Sequence, residues 1–391
     1  MRFASISERL KGLGSDKWFV HIEGAKRRAS GQDVIMLSIG EPDFPPPAAI
    51  LDFVERRLRA GRTRYSSGRG EPGVLNALSR HYSARTGRKI SLDQITFLPG
   101  TQTALFASFM TLVESGDEVL IPDPYYATYE GVIAATGAGV VPVPLDPDKS
   151  FHLEPAVLDR CVTPHCRALL LNTPSNPTGA VLSDDEIAAI GEICIKRDLW
   201  IVCDEVYANL VYAGDFASPF DNPALCDRTV VVSSISKSHA VPGFRCGWAV
   251  GPEEFSRALL PLSETMLFGS QPFLEDATAF ALSHDFEECN DMRDAYIARA
   301  RLLVEGLRNA PGISVHMPEG GMFVMADIRS TGLSGNEFAL RLLNEENVAT
   351  MPGESFGNAA RGHLRISLTV SEPQLREALT RITRFARRLV Q

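Results

Sequence analysis

From about residue 168 to 251 the chain alternates short apolar runs with longer stretches whose apolar residues recur at helical spacing. ALLLN (168–172) is an unbroken apolar run, as expected of a strand covered on both faces. SDDEIAAIGEICIKRD (183–198) places Ile187, Ile190, Ile193 and Cys194 on one helical face, and Ser183 with Glu186 forms a capping box at its start. LWIVCDE (199–205), TVVVSS (229–234) and CGWAVG (246–251) read as further strands, giving a βαβ pattern. Beyond about 285 the pattern changes to an amphipathic helix near 287–308, strand-like VHMP and MFVMADI, and a terminal helix from about 372. This predicts a separate α+β unit.

Composition narrows the picture. A chain of 391 residues with 45% hydrophobic content has material for one large core and one smaller one. A net charge of -9 argues against nucleic-acid binding, which needs a concentrated basic surface. No apolar run approaches the roughly 20 residues of a membrane-spanning helix, and MRFASISERLKGL does not read as a secretory signal. A cytoplasmic protein without a membrane partner is therefore expected. The cysteines at 161, 166, 194, 203, 226, 246 and 289 form no CxxC pair and read as reduced, mostly buried thiols. The eight histidines show no metal-ligand spacing, so no metal is expected.

Ligands of open parallel sheets bind beyond the carboxyl ends of the strands. Here those ends lead into Asn172 to Gly179, Asp204 to Tyr207 and Ser233 to Arg245, which hold most of the unusual polar residues. Lys237 follows a buried strand and is flanked by Ser234, Ser236 and Ser238. Most lysines are surface residues, but a desolvated lysine is a neutral nucleophile that forms Schiff bases with a carbonyl-bearing cofactor. Arg245 and the serines suit a phosphate. Asp204 ends an apolar strand, where an unpaired charge is costly, and it would be paired by facing a protonated pyridine nitrogen. Its alternative is a strand-end acid capping a helix. Tyr207 and Asn176 suit a phenolic oxygen of the same ring, although Asn-Pro also marks a turn by itself.

The ordered strings SIGEPDF, RYSSGRGEPG, LPGTQTAL, GDEVLIPDPYYATY, NTPSNPTG, DEVY, SISK with GFRCGW, PEGGMF and HLRIS span nearly the whole chain. With them the chain resembles the class I/II aminotransferases, fold type I enzymes dependent on pyridoxal 5'-phosphate. The resemblance implies an α/β fold: a large domain (46–285) with a mostly parallel seven-stranded sheet, and a smaller α+β domain built from an N-terminal arm (1–45) and residues 286–391. It makes Lys237 the lysine that anchors the cofactor, Asp204 the partner of the pyridine nitrogen, and Tyr207 and Asn176 the O3′ ligands. Thr101, Gln102, Ser234, Ser236 and Arg245 form the phosphate cup. Tyr126 stacks on the ring, with Tyr125 beside it leaving the register open. Arg365 and Gly40 take the substrate α-carboxylate. Tyr65 reaches the phosphate of a neighbouring subunit, implying a homodimer with shared active sites.

The implied activity is transamination between an amino acid and a 2-oxo acid in amino-acid metabolism. The alternatives are a carbon–sulfur or cyclopropane-forming lyase on the same fold and, further off, a non-catalytic sensor domain. For the substrate side chain, either Trp18 narrows the pocket or Lys17 attracts a distal carboxylate, unless both pack on a partner subunit. Gly73-Val74-Leu75 departs from the family's usual Glu-Leu-Arg. LFGSQPFLED (267–276) carries two unexpected acids, and both departures are expected to bear on substrate or dimer contacts.

Overall fold

The structure, a computed structural model, describes residues 2–389. In chain order its strands are β1 (Ile35–Met36), β2 (Ile95–Leu98), β3 (Glu118–Asp123), β4 (Gly139–Pro144), β5 (Cys166–Asn172), β6 (Trp200–Asp204) and β7 (Thr229–Ser234). They continue with β8 (Gly247–Val250), β9 (Ser314–Val315), β10 (Phe323–Asp327), β11 (Val348–Ala349), β12 (Met351–Pro352) and β13 (His363–Ser367).

Seven of them form one sheet in the order β2-β8-β7-β6-β5-β3-β4. The strands from β4 to β7 run parallel, with Asn172 opposite Asp204 and Asp204 opposite Val232. Side chains alternate between two apolar layers, as a doubly covered sheet requires. Ala168, Leu170, Val202, Val230 and Val232 face the helices Thr101–Leu112 and Glu253–Leu267, whereas Leu169, Leu171, Ile201 and Cys203 pack beneath the helix Asp184–Lys196. That helix starts with the Ser183–Glu186 capping box.

Two strand readings need correction. β8 is antiparallel to both neighbours, so CGWAVG is not the next βαβ strand. Only the short 3-10 turn Pro242–Phe244 lies between β7 and β8, too little for a crossover helix, and the chain must double back. VHMP is mostly not a strand: β9 ends at Val315. Pro318 has no N–H for a ladder, and the backbone of Glu319 is bonded instead to Gly179 and Tyr212.

A second, antiparallel sheet has the order β12-β13-β10-β9. The long helix Glu287–Leu307 and the helices Gly335–Glu346 and Glu372–Leu389 share one core with it. Val20, Ile35 and Leu37 enter the same core, and β1 pairs with β11. The N-terminal segment thus packs with the C-terminal third, and residues 38–41 pass from there over the large sheet. Among the described residues no helix is long and apolar enough to cross a membrane, and no cluster of side chains suits a metal ion.

Candidate active site

A cavity of about 440 Å³ opens at the carboxyl ends of β5, β6 and β7. Its wall includes Gly40, Thr101, Gln102, Tyr126, Asn176, Asp204, Tyr207, Ser234, Ser236, Lys237, Arg245, Arg365 and Trp18. The sequence places these residues on separate segments, and the fold brings all of them together. Tyr65 alone among the expected site residues lies elsewhere: it is 85% exposed, with its ring against Phe268.

Lys237 leaves the end of β7 and donates from Nζ to the Gly40 carbonyl at 2.6 Å. Burial lowers its pKa to about 8, against the opposing attraction of Glu41, so a neutral amine is accessible near physiological pH. Asp204 is buried at the end of β6, and burial pushes its pKa up to about 6. Its Oδ2 accepts from Tyr129 Oη at 2.8 Å and its Oδ1 from the Val206 N–H at 3.1 Å. Asn172 Nδ2 donates to the Asp204 carbonyl, and Asn172 Oδ1 accepts from the Asn176 N–H at 2.7 Å, tying the β5 and β6 exits together. Asn176 Nδ2 in turn reaches Tyr207 Oη at 3.4 Å.

At the opposite wall the helix Thr101–Leu112 begins with its N-terminus toward the cavity, where unpaired N–H groups and the helix dipole favour an anion. Gly100 has φ +83°, and a Cβ there would lie 2.3 Å from Arg245 Nη2. The close approach of Arg245 to the helix start therefore depends on that glycine. Thr101 Oγ1 is buried without a partner.

Arg365 projects from β13. Its guanidinium donates to Asn176 Oδ1 at 2.9 Å and to the Ser38 carbonyl at 2.5 Å, leaving Nε unpartnered. It lies between the rings of Phe323 and Phe356, with 4.2 Å and 4.5 Å to their centroids. Burial lowers its pKa to about 10. A Cβ on Gly40 would strike Phe323 at 2.2 Å, so this glycine lets the 38–41 segment close over the site.

Asp204, Lys237, Arg245 and Arg365 thus converge on one cavity, and none forms an ion pair among the described residues. Asp204 and Arg365 are buried, and buried charges without counter-ions are costly and persist where a ligand supplies the missing partners. A larger groove of about 620 Å³ at the amino ends of β5 and β6 has no free cation among the described residues, because its two arginines pair as Arg167–Asp117 and Arg228–Asp198.

The family model for aminotransferases of class I and II matches residues 32–382. The chain belongs to this family. It is 40% identical to the arginine–pyruvate transaminase AruH of Pseudomonas aeruginosa, over 100% of this chain and 99% of that protein. The aspartate aminotransferase structure from Rhizobium meliloti superposes with a TM-score of 0.94 at 29% identity, covering 99% of each chain. The Thermus thermophilus aspartate aminotransferase with maleate gives 0.92 at 32% identity, covering 98% of this chain and 100% of that one. The protein is therefore an aminotransferase of the aspartate-aminotransferase fold. It depends on pyridoxal phosphate and exchanges an amino group between an amino acid and a 2-oxo acid. The comparisons give no support to a lyase.

The residues present fit that cofactor. An orphaned hydroxyl and an unpaired arginine at a helix N-terminus suit its phosphate, and a buried acid without a cation suits its ring nitrogen. Of the two neighbouring tyrosines, Tyr126 lines the cavity while Tyr125 faces away, its N–H bonded to the Phe356 carbonyl. Lys17 offers nothing to a distal substrate carboxylate, because its ammonium is held by Glu130 at 2.7 Å; Trp18 does reach the cavity wall. The two unexpected acids, Glu275 and Asp276, brace the loop that carries Tyr65. Glu275 accepts from Ser66 Oγ and the Glu71 N–H, and Asp276 pairs with Arg57 and Arg62.

Tyr129 escapes sequence reasoning, because its acceptor Asp204 lies 75 residues away. The available signal was its place three residues after Tyr126, on the same turn. Tyr129→Phe is expected to lower kcat by about tenfold, the worth of one hydrogen bond to a charged group. The pH at which the bound cofactor changes colour should shift with it. A titration of the visible band checks this, and an unmoved titration would show that Tyr129 only packs.

Proposed function

We propose that the aminotransferase reaction runs on Arg365, Lys237 and Asp204, each in the role its surroundings suit. Arg365 binds the substrate α-carboxylate. Its buried guanidinium, lacking any anionic partner and with Nε unpartnered, is the observation that carries this reading. A planar fork of donors matches two carboxylate oxygens. The bound cofactor supplies an electron sink for the bonds at the substrate Cα.

Lys237 Nζ would take the substrate Cα proton and return one at C4′, as general base and acid. Its desolvated setting supports this role, since the amine must be neutral to accept a proton. Asp204 keeps the ring nitrogen protonated, with Tyr129 holding its carboxylate in place. Asn176 and Tyr207 bind O3′, and Ser234, Ser236, Thr101, Gln102 and Arg245 hold the phosphate. Tyr126 covers the ring, and the Gly40 amide joins Arg365. A second 2-oxo acid then completes a ping-pong cycle. Pyruvate and a basic amino acid are proposed among the substrates, on the strength of the arginine–pyruvate transaminase relative. Mixing the holoenzyme with single amino acids tests the whole scheme: loss of the visible cofactor band with formation of the matching 2-oxo acid is expected. Pyruvate and ammonia without that change would count against it.

We further propose a division at about residues 45 and 285, a reducing compartment such as the cytoplasm, and a homodimer. The shared core of residues 20–37 with the C-terminal third supports the division. Seven unpaired thiols support the compartment. The exposed Tyr65–Phe268 pair, braced from behind by Glu275, supports a partner subunit that Tyr65 would enter. Sedimentation should give twice the chain mass, and Tyr65→Phe should release cofactor about tenfold faster, the worth of one phosphate hydrogen bond. A monomeric holoenzyme would contradict the proposal.

A further inference from the structure

His152 has a carboxylate on each ring nitrogen. Its Nδ1 lies 2.6 Å from Glu186 Oε1, and its Nε2 lies 3.2 Å from the Glu319 carboxylate. An ionised carboxylate only accepts, so both nitrogens must donate, and the ring carries both protons and a positive charge. The bonds to Glu319 and Glu186 accordingly push its pKa up to about 9, against the opposing cost of burial. Asp184, Asp215 and Arg301 are the other charged side chains of the surface groove beside it, and none of them bonds to the ring among the described residues. His152 and Glu186 stand outside the strings that carry the family resemblance.

The two acids belong to different parts of the fold. Glu186 is in the capping box that opens the helix Asp184–Lys196 on the large sheet. Glu319 leads into β10 of the smaller sheet and also accepts from the Val181 N–H at 2.8 Å. The stretch that it begins is tied to two loops of the cavity. The N–H groups of Glu319 and Gly320 donate to the Gly179 carbonyl, the Glu319 carbonyl accepts from the Tyr212 N–H, and the Gly321 N–H donates to the Leu210 carbonyl. Those partners close the loops that carry Asn176 and Tyr207. Two residues further on, Phe323 sets its ring 4.2 Å from the Arg365 guanidinium, which also donates to Asn176 Oδ1. Holding Glu319 therefore steadies two of the surfaces that aim Arg365.

We propose that His152 is a positioning residue for the substrate carboxylate: a cation clipped between Glu186 and Glu319, it holds residues 319–321 against the Asn176 and Tyr207 loops and so fixes the orientation of Arg365. The inference rests on the role given to Arg365 above. His152 does not itself line the cavity.

Wild-type, His152→Gln, His152→Arg and Arg365→Lys holoenzymes would be mixed in single turnovers with the amino acid that the wild type converts fastest, after the visible cofactor band has shown that each is folded and loaded. Loss of that band against donor concentration gives an apparent Kd and a limiting rate. His152→Gln is expected to weaken the apparent Kd by roughly fivefold near neutral pH with little change in limiting rate, the size of an effect passed through intervening contacts. His152→Arg keeps donors for both carboxylates and should restore most of the loss. The gap between the glutamine variant and the wild type should close as the pH rises through about 9, where the wild-type ring gives up its own charge. Titrations of Lys237 and of the substrate are common to both proteins and cancel in the ratio. An unaltered Kd in His152→Gln, no recovery in His152→Arg, or a gap that stays constant with pH would overturn this inference alone. Wild-type affinity in Arg365→Lys would instead overturn the carboxylate assignment, and this inference with it.

Discussion

Lys237→Ala enzyme is expected to lose turnover by about four orders of magnitude or more, the scale seen when a group that acts in the chemical step is deleted. The cavity should still bind the cofactor, since the expected phosphate and ring ligands are spread over other segments. What disappears is the amine at the end of β7, which the structure holds against the Gly40 carbonyl in a desolvated position. The truncation leaves no other side-chain amine on the cavity wall. A small primary amine added to the solution should restore part of the rate, because it can enter the space left by the lysine and take up the proton transfer. Rapid-mixing absorbance measurements on the variant, with and without the amine, check both statements. A loss of only a few-fold would mean that another base serves the reaction.

Asp204→Asn should produce the other large effect, a fall in kcat of about a hundredfold to a thousandfold, as for removal of one preorganised charge at the reacting centre. A neutral amide cannot keep the ring nitrogen protonated. The same substitution has an opposite consequence for the cofactor-free protein. Burial raises the Asp204 pKa in the folded chain to about 6, above the usual unfolded carboxylate value of about 3.9. A carboxyl whose folded pKa is raised favours folding when protonated, below about pH 4, and that contribution is lost as pH rises through 6. At pH 8 the apoenzyme therefore carries an unpaired buried charge, which the asparagine variant lacks. The variant should melt at a higher temperature than the wild type at pH 8 when cofactor-free, with the difference shrinking toward pH 5. Cofactor should then raise the melting temperature of the wild type more than that of the variant. Equal melting curves at both pH values would remove the electrostatic role assigned to Asp204.

Much of this site was legible before any coordinates, for a physical reason. Apolar strands such as ALLL, WIVC and VVVS advertise the ends of a parallel sheet, and Asn176, Asp204, Tyr207 and Lys237 sit within a few residues of those ends. Their convergence follows from topology alone. Arg365 needed the family resemblance, because a lone arginine in HLRIS gives no sign of being buried without a counter-ion. What stayed hidden depends on contacts between distant segments. Tyr129 looks like a core aromatic until its hydroxyl is seen on Asp204. Glu275 gives no sign of its partner until it is seen beneath Ser66. Lys17 looks free to meet a substrate until Glu130 occupies it. The direction of β8 was misread for a related reason: an apolar run carries no sign of parallel or antiparallel pairing, and only the shortness of its connection does.

The claim on which the rest depends is that Lys237, among all the lysines, holds the cofactor. Borohydride reduction of the holoenzyme, followed by proteolysis and mass measurement of the peptides, tests it directly. The cofactor mass should appear on the peptide containing SISKSHAVPGFR, at Lys237 and at full occupancy. Finding it on another lysine, or finding no covalent attachment in an enzyme that still turns over, would contradict the account.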